Sequence, residues 1–157
     1  MQHRMKTHQL TKEEMIALLS DCQTGTLATV NPDGTPYSVP VHYVLLHDMI
    51  YIHGLPAGQK IRNIKDNPNV CFNAYEMRGL LIDCEGKPCD TNTDYVSVVI
   101  HGTARLLEDT SEKENVLRKI IQKYTPHLTE KEIPMNMLKG TAVIQIAIRE
   151  MTGKYYH

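Results

Sequence analysis

The stretch "YIHGLPAGQKIRNIKDNPNVCF", residues 51–72, gathers side chains suited to holding a small anion beside a proton donor. His53 closes a short apolar run. Gly58 and Lys60 open what reads as a short helix, and Arg62 follows one turn in. The first N–H groups of a helix lack intrahelical partners and sit at its positive end. Gly58 lets an anion come close to the backbone, and Lys60 adds a full charge. A phosphomonoester matches such a cradle, being small and close to doubly charged. Taken alone, these residues favour a solvated lysine on a surface helix. A solitary histidine at a strand end is, likewise, ordinarily exposed or bonded to a loop.

Other reactive side chains are less organised. His42, His53 and His101 all fall on predicted strands, but their spacing matches no zinc signature and no carboxylate recurs with them, so no metal site is expected. Cys84 and Cys89 are separated by four residues, too widely for a CxxC redox pair, and read as two free thiols in one loop. Met135 and Met137, in "IPMNML", are expected to pack against the barrel rather than form a special site.

The elements that must position these groups come from an ordinary globular composition. The chain has 157 residues, 41% hydrophobic and 22% charged, with net charge -1. That balance argues for one domain spanning residues 1–157 and against a polyanion-binding surface, so no nucleic acid partner is expected. No run is long enough for a membrane span, and "MQHRMKTHQLTKEE" lacks the apolar core of a secretory signal. Four scattered cysteines do not make a disulfide framework. A cytoplasmic protein with reduced thiols is expected. Tryptophan is absent and phenylalanine occurs once, so the core must rest on Val, Ile, Leu, Met and Tyr.

A helix is predicted over about 11–21, capped by Thr11 with Glu14 three residues on, its stripe formed by Met15, Ile16, Leu18 and Leu19. "GTLATV" reads as a strand and "NPDG" as a turn. "TPYSVPVHYVLL" alternates, with Val39, Val41, Tyr43 and Leu45 on one face and Ser38, Pro40, His42 and Val44 on the other. After a turn at His47-Asp48, "MIYIH" returns, completing an antiparallel meander. It places Ile50 and Ile52 opposite Met49, Tyr51 and His53. The helix after Gly58 must stop before Pro68. "NVCFNAYEM" is the next strand, residues 77–94 read as a loop, and "YVSVVIHGTARLLE" is a long strand with a bulge or close approach at Gly102. "SEKENVLRKIIQKY" is an amphipathic helix, "TPHLTEKEIPMNML" is irregular, and "GTAVIQIAIREM" is the last strand. The fold expected is mainly β: an antiparallel six-stranded barrel over about 25–149, with a few flanking helices and a short C-terminal tail. No GxGxxG is present and tight turns join the first strands, which removes a doubly wound nucleotide site.

In this order and spacing, "GTLAT" before a "DG" turn, "PYSVPVHY", "IYIHG", "GQK" and "NPNVCF" resemble the flavin-binding split-barrel family related to pyridoxamine 5′-phosphate oxidase. The resemblance is strongest to its 5-nitroimidazole-resistance branch. "YVSVVIHGTARLL" and "IAIREMTGK" extend it over roughly Thr11 to Lys154. It implies FMN, with FAD the alternative, held between the protomers of a homodimer. Backbone groups of Val39, Val41, His42 and Tyr43 would face the flavin ring, and His53 would stand beside it as the catalytic candidate. Ala57, Gly58, Gln59 and Lys60 would cradle the phosphate. Tyr95 and Ser97 would reach in from the second chain. The oxidase that names the family adds substrate-phosphate arginines and an arginine-rich tail, whereas this chain ends "MTGKYYH".

The function expected is an FMN-dependent oxidoreductase acting on a small, electron-poor molecule such as a nitro compound, with no membrane partner. Two alternatives stand beside it. One is a non-catalytic flavin-binding protein. The other is a haem-binding protein on the same barrel, with His42, His53 or His101 as axial ligand.

Overall fold

Thr11 starts the first helix as its sequence predicts. In the computed structural model, which describes residues 6–157, its N–H donates to the Glu14 carboxylate at 2.7 Å and its hydroxyl accepts from the Glu14 N–H at 3.2 Å. Residues 1–5, the start of the stretch read for a secretory signal, lie outside the described residues. Helix α1 (Lys12–Asp21) buries Met15, Leu18 and Leu19. The chain then forms β1 (Gly25–Val30), β2 (Pro36–Val41), β3 (Tyr43–Leu46) and β4 (Met49–Gly54). Helix α2 (Gln59–Asp66), β5 (Asn69–Leu81), β6 (Asn92–Leu106) and α3 (Thr110–Tyr124) follow, and then α4 (Met135–Gly140) and β7 (Ala142–Tyr156). A short 3₁₀ turn (Pro126–Leu128) lies between α3 and α4.

The strands make one seven-stranded antiparallel sheet in the order β2-β1-β5-β6-β7-β4-β3. Its two edge strands, β2 and β3, are consecutive in sequence and separated by His42 alone, so the sheet curls until its edges meet through the chain. This is a split barrel, the class expected, with one strand more. "TPYSVPVHYVLL" is not a single strand and the first four strands are not a meander: β2 pairs with β1, β3 with β4, and β2 and β3 belong to opposite edges. The cause of the break lies in α3. The Tyr124 hydroxyl takes the N–H of Tyr43 at 2.9 Å and shares its own proton between the carbonyls of Tyr43 and Gln23, at 2.9 and 2.8 Å. Pro36 and Pro40, which have no N–H to donate, fall on the edge strand β2, where the ladder tolerates them.

Three other expectations shift. Residues 77–94 are not a loop: β5 and β6 pair out to Leu81 and Asn92, with a register shift between Met77 and Gly79 that hides the alternation. Only 82–91 turn, organised by the Asp83 carboxylate, which accepts from the N–H groups of Glu85 and Lys87 at 3.0 and 3.1 Å. The C-terminal tail is also strand, because β7 pairs with β6 as far as Tyr156 opposite Tyr95. Met135 and Met137 do not pack inward; both are more than half exposed. Their neighbour Leu138 takes the buried face of α4 instead.

Gly102 behaves as expected. The β6–β7 register slips between His101 and Gly102, and a Cβ there would lie 2.6 Å from the Ala147 carbonyl oxygen. The turns hold as well: Gly34 closes onto the Asn31 carbonyl at 2.8 Å with positive φ, and His47 and Asp48 both take positive φ.

Alternation sorts the strands into two cores. Leu27, Val41, Tyr43, Ile50, Ile52, Phe72, Ile100, Ile144 and Ile146 fill the barrel, where the Tyr43 and Phe72 rings meet edge to face at 4.8 Å. Outside, Val44 and Val143 bury a second cluster with Val116, Leu117 and Ile120 of α3 and Leu138 of α4.

Candidate functional site

His53 leaves β4 on its outer face, since Ile50 and Ile52 point into the barrel. Opposite it in the ladder is Val143. Its Nδ1 is buried and has no hydrogen-bond partner. Burial, with the neighbouring His42 and Lys60 charges, holds its pKa below the usual histidine range, so the ring is neutral at pH 7. An unpartnered ring nitrogen in such a setting is open to a ligand.

Lys60 reaches the same place from α2. Its ammonium lies over the α-carbon of Gly54, where an added Cβ would sit 3.5 Å away. Among the described residues no ion pair engages it. Gly58 caps α2 without a side-chain bond, at φ 129°, a conformation that favours glycine. The first intrahelical bond runs from the Arg62 N–H to the Gly58 carbonyl at 3.1 Å. The N–H groups of Gln59, Lys60 and Ile61 therefore precede the ladder, beside exposed Ala57. His42 stands exposed at the barrel seam, its ring stacked on Tyr124 at 4.5 Å.

Val39, Val41 and Tyr43 flank His42 along the chain. Val41 and Tyr43 turn their side chains into the barrel core and Val39 packs against it. Both backbone groups of Tyr43 are taken by Tyr124, so Tyr43 has a structural use. The Gln59 amide is engaged too: it donates to Asn31 and Asn63 and accepts from Arg62. Only its backbone N–H is left for a ligand. Tyr95 and Ser97 lie on β6, with Ser97 opposite Lys154 of β7. Val143, opposite His53, is eleven residues before Lys154, roughly 35 Å along the strand at the usual rise. One chain therefore brings His42, His53, Lys60 and the Ala57–Gln59 backbone together and leaves Tyr95 and Ser97 at its other end.

Sequence reasoning missed Tyr124, Thr29, Asn31 and Asn63. Tyr124 is the last residue of an amphipathic helix, and nothing local marks what its hydroxyl reaches. Asn63 left a faint trace: it sits four residues after Gln59, between Ile61 and Ile64, on the side of α2 that must face the barrel.

Against this geometry, the family model for pyridoxamine 5′-phosphate oxidase matches residues 11–155. The chain belongs to that family. Solved structures with the same fold include a candidate 5-nitroimidazole antibiotic resistance protein from Bacteroides thetaiotaomicron, with TM-score 0.77 and 23% identity over 93% of this chain and 85% of that one. The flavocytochrome Anf3 from Azotobacter vinelandii superposes with TM-score 0.84 and 20% identity, covering 99% and 72%. An FAD and haem binding protein from Mycobacterium smegmatis gives 0.85 and 19%, covering 96% and 74%. At these identities the likeness is one of fold. No curated protein matches the sequence.

Proposed function

We propose that this member of the pyridoxamine 5′-phosphate oxidase family is an FMN-binding oxidoreductase that reduces a small, electron-poor substrate such as a nitro compound. The observation that carries the reading is the conjunction, at one end of the barrel, of a lysine with no ion pair among the described residues, a glycine-capped helix start and a neutral histidine with an unpartnered buried nitrogen. These residues fit the cofactor. Lys60 and the N–H groups of Gln59, Lys60 and Ile61 would hold its phosphate, and His53 would stand at its ring. When bound, the flavin supplies the hydride chemistry. The chain's own contributions are to bind the phosphate and to present the His53 ring nitrogen as a hydrogen-bond donor or acceptor. Membership of the family supports the flavin, and the substrate class is taken from the fold neighbour described as a candidate 5-nitroimidazole antibiotic resistance protein.

Oxidation of pyridoxamine phosphate is not the favoured activity. β7 holds one arginine, Arg149, and its guanidinium is tied to the Asn69 side chain at 2.8 Å. Tyr95 and Ser97 would serve the site of a second copy, making the protein a homodimer. It would work on a soluble small molecule in the cytoplasm; among the described residues no helix is long and apolar enough to cross a membrane.

The deciding experiment identifies the chromophore released by heat from purified protein and follows its reduction by NAD(P)H. FMN, with substrate-dependent reoxidation, is the expected result. FAD would replace the cofactor but keep the chemistry. Flavin that is never reduced would make the protein a passive carrier, and a sharp Soret band would move the assignment to haem on the same barrel.

A further inference from the structure

Asn63 is fully buried in the middle of α2, a place where asparagine is a poor helix former and its amide is costly to desolvate. Every polar atom it has is nevertheless used. Its Nδ2 donates to the Thr29 hydroxyl at 3.0 Å and to the Asn31 Oδ1 at 2.8 Å. Its Oδ1 accepts from the Gln59 Nε2 at 2.9 Å. That same Gln59 nitrogen also donates to the Asn31 Oδ1 at 3.0 Å, and the Gln59 Oε1 accepts from the Arg62 guanidinium at 2.6 Å. Thr29, itself 2% exposed, belongs to β1, and Asn31 begins the turn that follows. Asn31 is fixed in turn by its own amide, which donates to the Thr35 hydroxyl at 3.0 Å.

The chain of bonds thus starts on a barrel strand, crosses the interior face of α2 and ends on the two residues, Gln59 and Arg62, of the helix's first turn. A leucine at position 63 would bury more apolar surface beside Ile61 and Ile64 with no desolvation cost. What the asparagine adds is direction. Apolar packing lets a short helix slide and rotate, whereas a fully satisfied buried network fixes both. α2 is eight residues long and its cap makes no side-chain bond, so beside the packing of Ile61 and Ile64 this network is what ties its first turn to the barrel.

We propose that Asn63, acting with Thr29 and Asn31, is the positioning residue of the anion cradle: it fixes the first turn of α2 so that the Gln59–Ile61 N–H groups, Lys60 and Arg62 converge on one phosphate. The inference rests on the FMN reading above. It assigns a use to the Gln59 side chain that is not ligand contact, and it brings Arg62 into the cradle as a held second cation.

The test compares FMN and riboflavin, which share the ring and differ in the phosphate. Dissociation constants for both, and the ³¹P resonance of bound FMN, are measured for the wild-type protein and for Asn63→Leu, Gln59→Met and Thr29→Val. Gln59→Met leaves the buried asparagine in place and decides the matter if Asn63→Leu does not fold. The expected result is a loss of FMN affinity of about tenfold, the scale of one misaligned charge-assisted hydrogen bond. Riboflavin affinity should hold within about twofold on the same warrant, and the ³¹P line should shift. Folded variants that keep the wild-type preference for FMN and the wild-type ³¹P line overturn the positioning role, as does an equal loss of both ligands. A wild-type protein with no preference for FMN over riboflavin is a different failure: it overturns the phosphate reading, and the positioning role falls with it.

Discussion

His53 and Lys60 are adjacent in space because Gly54 follows one and lies under the other, and their substitution separates two effects. Lys60→Ala removes a charge-assisted hydrogen bond of about 1.5–3 kcal/mol, so FMN binding should weaken roughly tenfold to a hundredfold while riboflavin binding holds. Equal losses for both ligands, measured by fluorescence titration, would remove Lys60 from the phosphate. His53 is read through pH. Its folded pKa is depressed from 6.5 by burial first, then by His42 and Lys60. Between the folded and unfolded values the unfolded chain binds the extra proton, so stability rises with pH there and is complete above about 6.5. Lowering pH through that window should destabilise the wild-type protein, and His53→Gln should flatten that part of the stability profile. If the ring nitrogen serves the reaction, the same variant keeps its flavin but turns over more slowly with an altered pH dependence. Wild-type turnover and an unchanged profile would leave His53 a structural residue.

At the scale of elements, the segments with a clear period were legible and the contacts across the chain were not. Thr11 and Glu14 announce α1, and Gly58 and Pro68 bracket α2, because caps and stops are local chemistry. The break at His42 was hidden: "VPVHYV" alternates without interruption, and the interruption is imposed by a hydroxyl eighty-one residues away. The β5–β6 arm was hidden by its register shift at Met77 and Gly79. For the candidate site, His53, Gly58 and Lys60 could be read from their types and order. Asn63 could not, since its value lies in partners on another element. The end of α3 gives the clearest test of such a long-range contact. Besides the Tyr124 bonds, the Lys123 ammonium sits 4.1 Å above the Tyr43 ring and donates to the Cys22 carbonyl at 2.9 Å. Tyr124→Phe keeps the ring against His42 but frees the N–H and C=O of Tyr43, which are then unsatisfied at the seam. A loss of about 1–3 kcal/mol is expected, seen as a fall of at least ~2 °C in Tm for a chain of this size. An unchanged melting curve would mean that solvent replaces the tyrosine at no cost.

For the whole molecule, the two halves of the proposed site lie on one chain near opposite ends of β7, so on this reading a second copy would unite them. A two-fold dimer would do this twice, setting the His53 end of each protomer against the Ser97 end of the other. The surface agrees. Tyr75, Met77, Leu80, Leu81 and Ile82 on the β5–β6 arm are all exposed in the single chain, and so are Leu55, Met135 and Met137 near the start of β7. Apolar side chains clustered this way ordinarily mark an interaction surface. A stable pair needs about 1,200–2,000 Å² of total buried area, and the exposed apolar side chains of the arm are where it would begin. Light scattering on protein at micromolar concentration should therefore give twice the chain mass. The paired substitution Leu80→Ser and Ile82→Ser touches neither His53 nor Lys60, yet it should shift the mass toward monomer and release flavin in parallel. A wild-type monomer that binds flavin would show that one barrel suffices. A monomeric variant that keeps its flavin would show that Tyr95 and Ser97 of a second chain contribute nothing to the site.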